Sequence, residues 1–138
     1  MTKIKFDMQL MQSMNLFEKL THAKVKDCIV SDELITFIVA PGDAFKAIGK
    51  GGSNVKRISN VFKKKIKIVE FSDDKLQFIK NFIMPLKAAE ITEEEGVVLI
   101  KAVDHQTRGY IIGRGASSLN LLKEVAGRYF KFKDIKVV

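Results

Sequence analysis

The chain has 138 residues, of which 46 % are hydrophobic, and this apolar content excludes a chain that is disordered by composition. It has no apolar run near the roughly 20 residues that cross a bilayer, no signal-peptide pattern at its N-terminus, and a single cysteine, Cys28, which excludes an intramolecular disulfide. These features predict a cytoplasmic protein, and the net charge of +8 favours nucleic acid as partner, although a solvated surface explains charge alone equally well.

The chain opens with a predicted helix and a hairpin. The helix is indicated by apolar residues that recur on one face, at Phe6, Leu10, Met14 and Phe17. β-Branched residues then predict two strands, Val25–Val30 and Leu34–Val39. The polar segment Ser31–Glu33 between them reads as the turn that joins the two strands.

A glycine-rich loop follows, after a short helix. This loop, Ile48–Val55, reads Ile-Gly-Lys-Gly-Gly-Ser-Asn-Val. Glycine lets a backbone approach a ligand closely because no Cβ intervenes, and a cation between glycines offers charge to a phosphate at that point. A second helix is predicted from Val55, Ile58 and Phe62, and the strand Ile66–Val69 closes this half. The first half concentrates its charge after the loop, at Lys56, Arg57, Lys63, Lys64, Lys65 and Lys67.

The same order recurs 64 residues later. A helix is predicted to begin at Ser72–Asp74 and to end at Pro85, with Leu76, Ile79 and Ile83 on one face. A hairpin is then predicted from the strands Leu86–Ile91 and Gly96–Val103, with the acidic segment Glu93–Gly96 as its turn.

The second loop, Ile112–Leu119, reads Ile-Gly-Arg-Gly-Ala-Ser-Ser-Leu. The helix after it is indicated by Leu119, Leu122 and Ala126, and the last strand is Ile135–Val138, by which point the offset between the copies has grown from 64 to 69 residues. The repeat predicts two domains, 1–71 and 72–138. No Ser/Gly/Pro tract separates them, which favours a fixed arrangement.

A single Gly-x-Gly-Gly is a weak signal, because such sequences also occur in turns and helix caps. Two copies in the same helix-loop-helix setting favour a functional loop. The nucleotide-binding alternatives fail on context: a P-loop needs Gly-x-x-x-x-Gly-Lys-[Ser/Thr] after a strand, and a Rossmann fingerprint needs Gly-x-Gly-x-x-Gly directly after a strand, with an acidic residue about 20 residues further on.

The setting with an apolar residue before the loop is the KH signature, Ile-Gly-x-x-Gly-x-x-[Ile/Leu/Val], and the element order is that of type II KH domains. Two such domains in a chain this short resemble the archaeal NusA-like transcription factors. The resemblance rests on Val25–Cys28, Ala47–Lys50, Asn54–Arg57, Glu70–Asp74 and Ile111–Arg114. It implies an α/β (α+β) fold of two tandem type II KH domains, each a three-stranded mixed sheet covered by helices on one face.

The resemblance implies that each loop clamps the backbone of single-stranded RNA. Carried over by position, the RNA-binding residues are Gly49, Lys50, Gly51, Gly52, Ser53, Asn54, Lys56 and Arg57 in the first copy and Gly113, Arg114, Gly115, Ala116, Ser117 and Ser118 in the second.

The second copy departs from the pattern in two ways. Ala116 replaces the last glycine of the loop, and its methyl group is tolerated if φ is negative but could otherwise block the approach of a sugar-phosphate chain. Asn120 and Leu121 stand where the first copy has two cations. We therefore expect the second loop to bind more weakly.

Other chemistry has little support in the sequence. His22 and His105 lack companions at ligand spacing, Cys28 reads as core, and Glu93–Glu95 reads as solvated. We expect no enzyme, no metal and no cofactor, but a single-stranded RNA-binding protein acting in transcription elongation, termination or antitermination. The open alternatives are ribosome assembly and a protein-interaction scaffold. RNA polymerase stays open as a partner, because the polymerase-binding domain of the larger bacterial relatives has no counterpart here.

Overall fold

The computed structural model describes residues 2–31 and 33–138. The side chain of Phe6 and the turn residue Asp32, which the sequence assigned to the first helix face and the first hairpin, lie outside the described part. The chain divides into two compact units, Met1–Phe71 and Ser72–Val138. Within the described residues no helix is both long and apolar enough to cross a membrane.

The described residues of the first unit form three α-helices and a three-stranded sheet, and the loop Lys50–Gly52 is a single 3-10 turn. The elements of the unit in chain order are α1 (Thr2–Thr21), β1 (Val25–Val30), β2 (Leu34–Val39), α2 (Ala44–Ile48), α3 (Ser53–Phe62) and β3 (Lys65–Glu70). The strands lie in the order β1-β2-β3, with β1 and β2 antiparallel and β2 and β3 parallel. The predicted mixed sheet is confirmed, and its parallel pair is joined by α2, the loop and α3.

Aromatic packing holds the helices of the first unit to its sheet. The ring of Phe17 on α1 stacks on that of Phe37 on β2, with centroids 4.0 Å apart, and both side chains are fully buried. Ala47 and Ile58 bring α2 and α3 into the same core, in which Cys28 is also buried. Such aromatic pairs stabilise by about 0.5–1.5 kcal/mol beyond the area they bury. This core fixes the helix pair that frames the first loop.

The second unit repeats the architecture. Its elements are α4 (Lys75–Ile83), β4 (Ala88–Glu94), β5 (Val97–Ala102), α5 (His105–Ile112), α6 (Ser117–Gly127) and β6 (Asp134–Val137). The strand order is β4-β5-β6, again with one antiparallel and one parallel pair. Asp74 caps α4 by accepting a hydrogen bond from the backbone N–H of Leu76, as the Ser72–Asp74 start signal predicted.

The longer connection between α6 and β6 completes the core of the second unit. The rings of Tyr129 and Phe130, in that connection, lie 5.9 and 5.6 Å from the ring of Phe78 on α4. Phe78 and Phe82 are buried beside Ile79, although the sequence analysis did not place either phenylalanine on the core face. The extra residues of the second copy therefore supply core packing.

The predicted boundaries of the second hairpin were wrong. β4 begins at Ala88, not Leu86, and continues through Glu94, so that the turn consists of Glu95 and Gly96 alone. Both turn residues have positive φ, 51° and 84°, as a two-residue hairpin turn with the right-handed strand twist requires. The charge of Glu93 and Glu94 predicts a turn, but an exposed strand accommodates both side chains, and Glu93 accepts a 2.7 Å hydrogen bond from Lys75.

Candidate nucleic-acid interface

The two glycine-rich loops have the same backbone conformation. In the first, φ is 78° at Gly49, 62° at Gly51 and 77° at Gly52; at the matching positions of the second it is 79°, 60° and 63°. The N–H of Gly52 donates to the carbonyl of Gly49 at 3.1 Å, and the N–H of Ala116 donates to the carbonyl of Gly113 at 3.1 Å. The sequence repeat is thus a repeat of structure down to single torsion angles.

The first glycine of each loop packs against the helix that follows. A Cβ on Gly49 would lie 2.8 Å from the backbone nitrogen of Asn54 and 2.8 Å from the Ser53 hydroxyl. A Cβ on Gly113 would lie 2.6 Å from the hydroxyl oxygen of Ser118. These two glycines therefore allow a close internal approach of chain to chain, which differs from the close approach of a ligand that the sequence suggested.

The central glycines face open space. A Cβ on Gly51, Gly52 or Gly115 would have no heavy atom within 4 Å. Their positive φ makes glycine favourable for conformation, and their open side leaves the loop backbone accessible. The backbone at these positions, rather than at Gly49, is the part of the first loop that a phosphate can reach closely.

Ala116 has a left-handed backbone, with φ of 63° and ψ of 22°. The condition under which its methyl group was expected to be tolerated, a negative φ, is not met. The loop has imposed its own geometry on this residue, at a cost of about 1–2 kcal/mol for an L-residue in this region. The backbone hydrogen bond to Gly113 is retained, so the substitution strains the second loop without unfolding it.

The cations of the first loop are exposed, as is Ser53, whereas the side chain of Asn54 is half-buried and engaged within the protein. Lys50 at the tip of the loop and Lys56 and Arg57 on α3 all face solvent. The side-chain amide of Asn54 donates to the carbonyl of Lys46 at 2.8 Å and so ties α3 to α2. Ser53 packs against Gly49. The predicted first site therefore divides into a charged exposed part and a part that holds the loop in shape.

The downstream lysines do not form one patch. Lys63, Lys64 and Lys65 line a shallow groove at the C-terminal end of α3, but the Lys64 ammonium donates to the carbonyl of Ser31 at 3.0 Å. Lys67 is half-buried, and burial lowers the pKa of its amine. Of the basic run that the sequence singled out, Lys67 is therefore set apart from the exposed charge next to the loop.

Around the second loop, Arg114 and Ser117 are exposed, as is Ser118. A cation further along α6, Lys123, is engaged: its ammonium lies 3.0 Å from the carboxylate of Asp134. The hydrogen bond from Lys123 is the largest cause that lowers the pKa of that carboxyl group. The second loop therefore keeps its tip cation and its hydroxyls but has less free charge beside it.

Comparison with known proteins decides the family. The KH domain family model matches residues 13–103, about two thirds of the chain. The probable transcription termination protein NusA of Methanococcus vannielii is 38 % identical over 139 residues, which cover 99 % of this chain and 80 % of the relative. The protein of the same name from Methanocaldococcus jannaschii is 32 % identical, covering 100 % of this chain and 77 % of the relative.

The chain is a KH-domain protein of the archaeal NusA-like family. The resemblance predicted from the sequence is confirmed. A solved structure, titled crystal structure of APE1850, matches this KH protein with a TM-score of 0.74 and 26 % identity, covering 95 % of this chain and 99 % of the other. The KH domain match contains the first loop and ends before the second.

Proposed function

We propose that this KH protein binds single-stranded RNA and acts in transcription termination, elongation or antitermination, in the cytoplasm, through two tandem type II KH domains, 1–71 and 72–138. The observation on which the proposal rests is the first loop. Its central backbone is open to close approach, it has the exposed Lys50 at its tip, and α3 begins directly after it.

The loop binds the sugar-phosphate chain in three ways. The missing Cβ atoms at Gly51 and Gly52 let phosphates reach the backbone. Lys50, Lys56 and Arg57 supply positive charge, with release of counterions from the RNA. The N-terminus of α3 adds the positive end of its helix dipole, and no side chain caps it because the cap residue is Gly52; the N–H of Ser53 donates to the carbonyl of Lys50.

Base recognition belongs to a different surface. β3 is an edge strand, and both α2 and α3 pack against it, so we place the unpaired bases in a groove along this side of the unit. The loop provides affinity without reading sequence, and the groove provides preference. This division of roles requires single-stranded RNA, since the bases of a duplex are not available to a groove.

The role in transcription is inferred from the relatives, which are named probable transcription termination proteins. A second candidate applies to the second unit. Its strained Ala116 and its ion-paired Lys123 favour a scaffold or protein-contact role for that unit while the first unit binds RNA. A direct contact with RNA polymerase, a role in ribosome assembly and the absence of catalysis stay predictions.

The test is a double substitution at the tip of the first loop, Lys50→Asp with Gly51→Asp. Both new side chains are expected to fit, because a Cβ at Gly51 meets nothing and aspartate is among the residues that tolerate positive φ. The acids repel the phosphates that the loop otherwise attracts. We expect affinity for an unstructured RNA oligomer, measured by gel shift, to fall by at least about tenfold, the equivalent of one lost charged hydrogen bond.

A matched control separates the site from general charge. Asn15→Asp with Lys19→Asp makes the same change in net charge on exposed positions of α1, and it should weaken binding much less. Circular dichroism and thermal melting check the fold of both variants. Wild-type affinity should also fall with salt and be weaker for a hairpin stem. If the loop variant bound RNA as the wild type does, the first loop would not be the site.

A further inference from the structure

Phe45 on α2 is an exposed aromatic residue that the KH signature does not account for. Its side chain is 89 % exposed, the highest value among the large apolar side chains in the described part of the chain. The other exposed side chains of this kind have values between 38 % and 60 %. α2 turns the fully buried Ala47 toward the core and Phe45 toward solvent. The core of the first unit therefore gains nothing from this ring.

The ring stands directly beside the first loop. The N–H of Gly49 donates to the carbonyl of Phe45 at 2.9 Å, so Phe45 precedes the loop by one helical turn, about 5.4 Å along the axis. Ile48, three residues further on, shares a helix face with it and is 38 % exposed. The two side chains form an apolar strip that ends at the loop, next to the exposed Lys50.

The second unit shows that the loop does not need this phenylalanine. The equivalent residue is Gly109, whose carbonyl accepts the same hydrogen bond from Gly113, at 2.8 Å. The two loops have matching torsion angles although one is preceded by Phe and the other by Gly. Single exposed apolar residues are common on protein surfaces, but this one is placed at the binding loop and has no structural task there.

We propose that Phe45 stacks on a base of the RNA strand whose phosphates the first loop holds. This inference rests on the proposed function of that loop. An aromatic ring beside a cationic loop is the arrangement with which proteins hold single strands, because every base has a face that can stack, whatever its sequence. A stacked base would add affinity in the first unit that the second, with Gly109, cannot add.

Substitutions at Phe45 test the inference. Phe45→Ala should weaken binding of an unstructured RNA oligomer by about five- to a hundredfold, the range measured for loss of one base–aromatic stack. Phe45→Leu keeps an apolar side chain of similar size but cannot stack, and should lose nearly as much. Phe45→Trp should retain wild-type affinity. Val61→Ala removes an apolar side chain that is 50 % exposed near the far end of α3 and serves as the matched control.

Fluorescence gives a readout of the contact itself. The chain contains two tyrosines but no tryptophan, so Phe45→Trp introduces a single tryptophan, whose selectively excited fluorescence stacking on a base should quench when RNA is added. Val61→Trp places the same fluorophore about 12 Å along α3 from the loop and should change little. Melting curves of all variants should match that of the wild type, since the Phe45 side chain is exposed.

Wild-type affinity of Phe45→Ala for RNA would overturn the inference while leaving the proposed function of the loop intact. Wild-type affinity of Phe45→Leu would also overturn it, because an apolar contact without stacking would then suffice. If the wild-type protein failed to bind any single-stranded RNA, the proposed function itself would fail.

Discussion

Gly49 and Gly52 occupy one loop but are required for different physical reasons. Any side chain at Gly49 would collide with the backbone of Asn54, whereas a side chain at Gly52 meets no atom and is opposed only by the positive φ of 77°. The first constraint is steric and comes from the neighbouring helix; the second is local to one residue. Ala116 in the second loop shows that the second constraint can be violated at limited cost.

Replacing Ala116 by glycine and replacing Gly52 by alanine should shift the stability of the protein in opposite directions. Alanine in the left-handed region costs about 1–2 kcal/mol, of which about 0.4–1 kcal/mol is returned because alanine restricts the unfolded chain. We expect Ala116→Gly to raise the free energy of unfolding by about 0.5–1 kcal/mol and Gly52→Ala to lower it by the same amount.

Urea denaturation monitored by circular dichroism measures both changes. Gly127→Ala is the control, since Gly127 lies in α6 with no positive φ and no neighbour that a Cβ would meet; it should follow ordinary helix propensity and gain stability. A loss of stability in Ala116→Gly would show that the left-handed conformation at this position is not under strain.

At the scale of elements, hydrophobic periodicity predicted the parts of the fold in which burial decides the structure. The β-branched run of β2 and the spacing of Ile58 and Leu122 on their helices gave the correct element types, because each of these residues is buried in its unit. Prediction failed where polar residues occupy regular structure. Glu93 and Glu94 lie in β4 because pairing with β5 satisfies their backbone, and nothing in their side chains signals this.

The N-cap of α5 is predicted to make the stability of the fold depend on pH. Asp104 accepts a 2.7 Å hydrogen bond from the backbone N–H of Thr107, and this bond is the largest cause that lowers the pKa of the carboxyl group. A carboxylate with a lowered pKa in the folded state contributes stability above its unfolded pKa, near pH 4. That contribution is lost as the pH falls through the folded pKa, because the unfolded chain binds the proton first.

Asp104→Asn should therefore preserve stability at pH 7, since asparagine caps a helix about as well as aspartate. As the pH falls below about 4, the wild-type protein should lose stability faster than the variant. Urea midpoints measured across this range in both proteins show the difference. Asp73→Asn, which removes the same charge from an exposed position of the second unit, should change the loss of stability at acid pH less. If wild type and Asp104→Asn lost stability equally as the pH falls, the capping argument would be contradicted.

At the scale of the whole chain, the sequence repeat was sufficient to find both loops but not to rank the parts of the first one. Eight positions of the first copy were predicted alike for RNA contact, yet Gly49 and Asn54 serve the internal geometry. Phe45, which we propose to stack on a base, was not singled out in the sequence because the KH pattern begins at Ile48 and an apolar residue one turn earlier is read as part of the core. Its exposure becomes visible only when the packing of α2 against the sheet is known.

The charge of the chain is distributed unevenly between its halves. Residues 1–72 contain 13 Lys or Arg and 7 Asp or Glu, whereas residues 73–138 contain 11 and 9. The first loop has the exposed Lys56 and Arg57 after it, where the second has Asn120 and Leu121. The affinity of a protein for the phosphates of a single strand weakens with each lost cation. The two units are therefore predicted to contribute unequally to one RNA complex.

This inequality can be measured by making the same charge change in each loop. Arg114→Asp with Gly115→Asp should weaken binding less than Lys50→Asp with Gly51→Asp.

The length of the RNA separates the two contributions. For an oligomer of about four nucleotides, the length one KH domain holds, the second-loop variant should bind as the wild type does. For longer oligomers, wild-type affinity should rise, because a strand held by one unit reaches the other at high effective concentration. The second-loop change should then remove most of that gain, while the first-loop change lowers affinity at every length. An affinity that stops rising at about four nucleotides, with no effect of the second-loop change at any length, would instead show that only the first unit binds RNA.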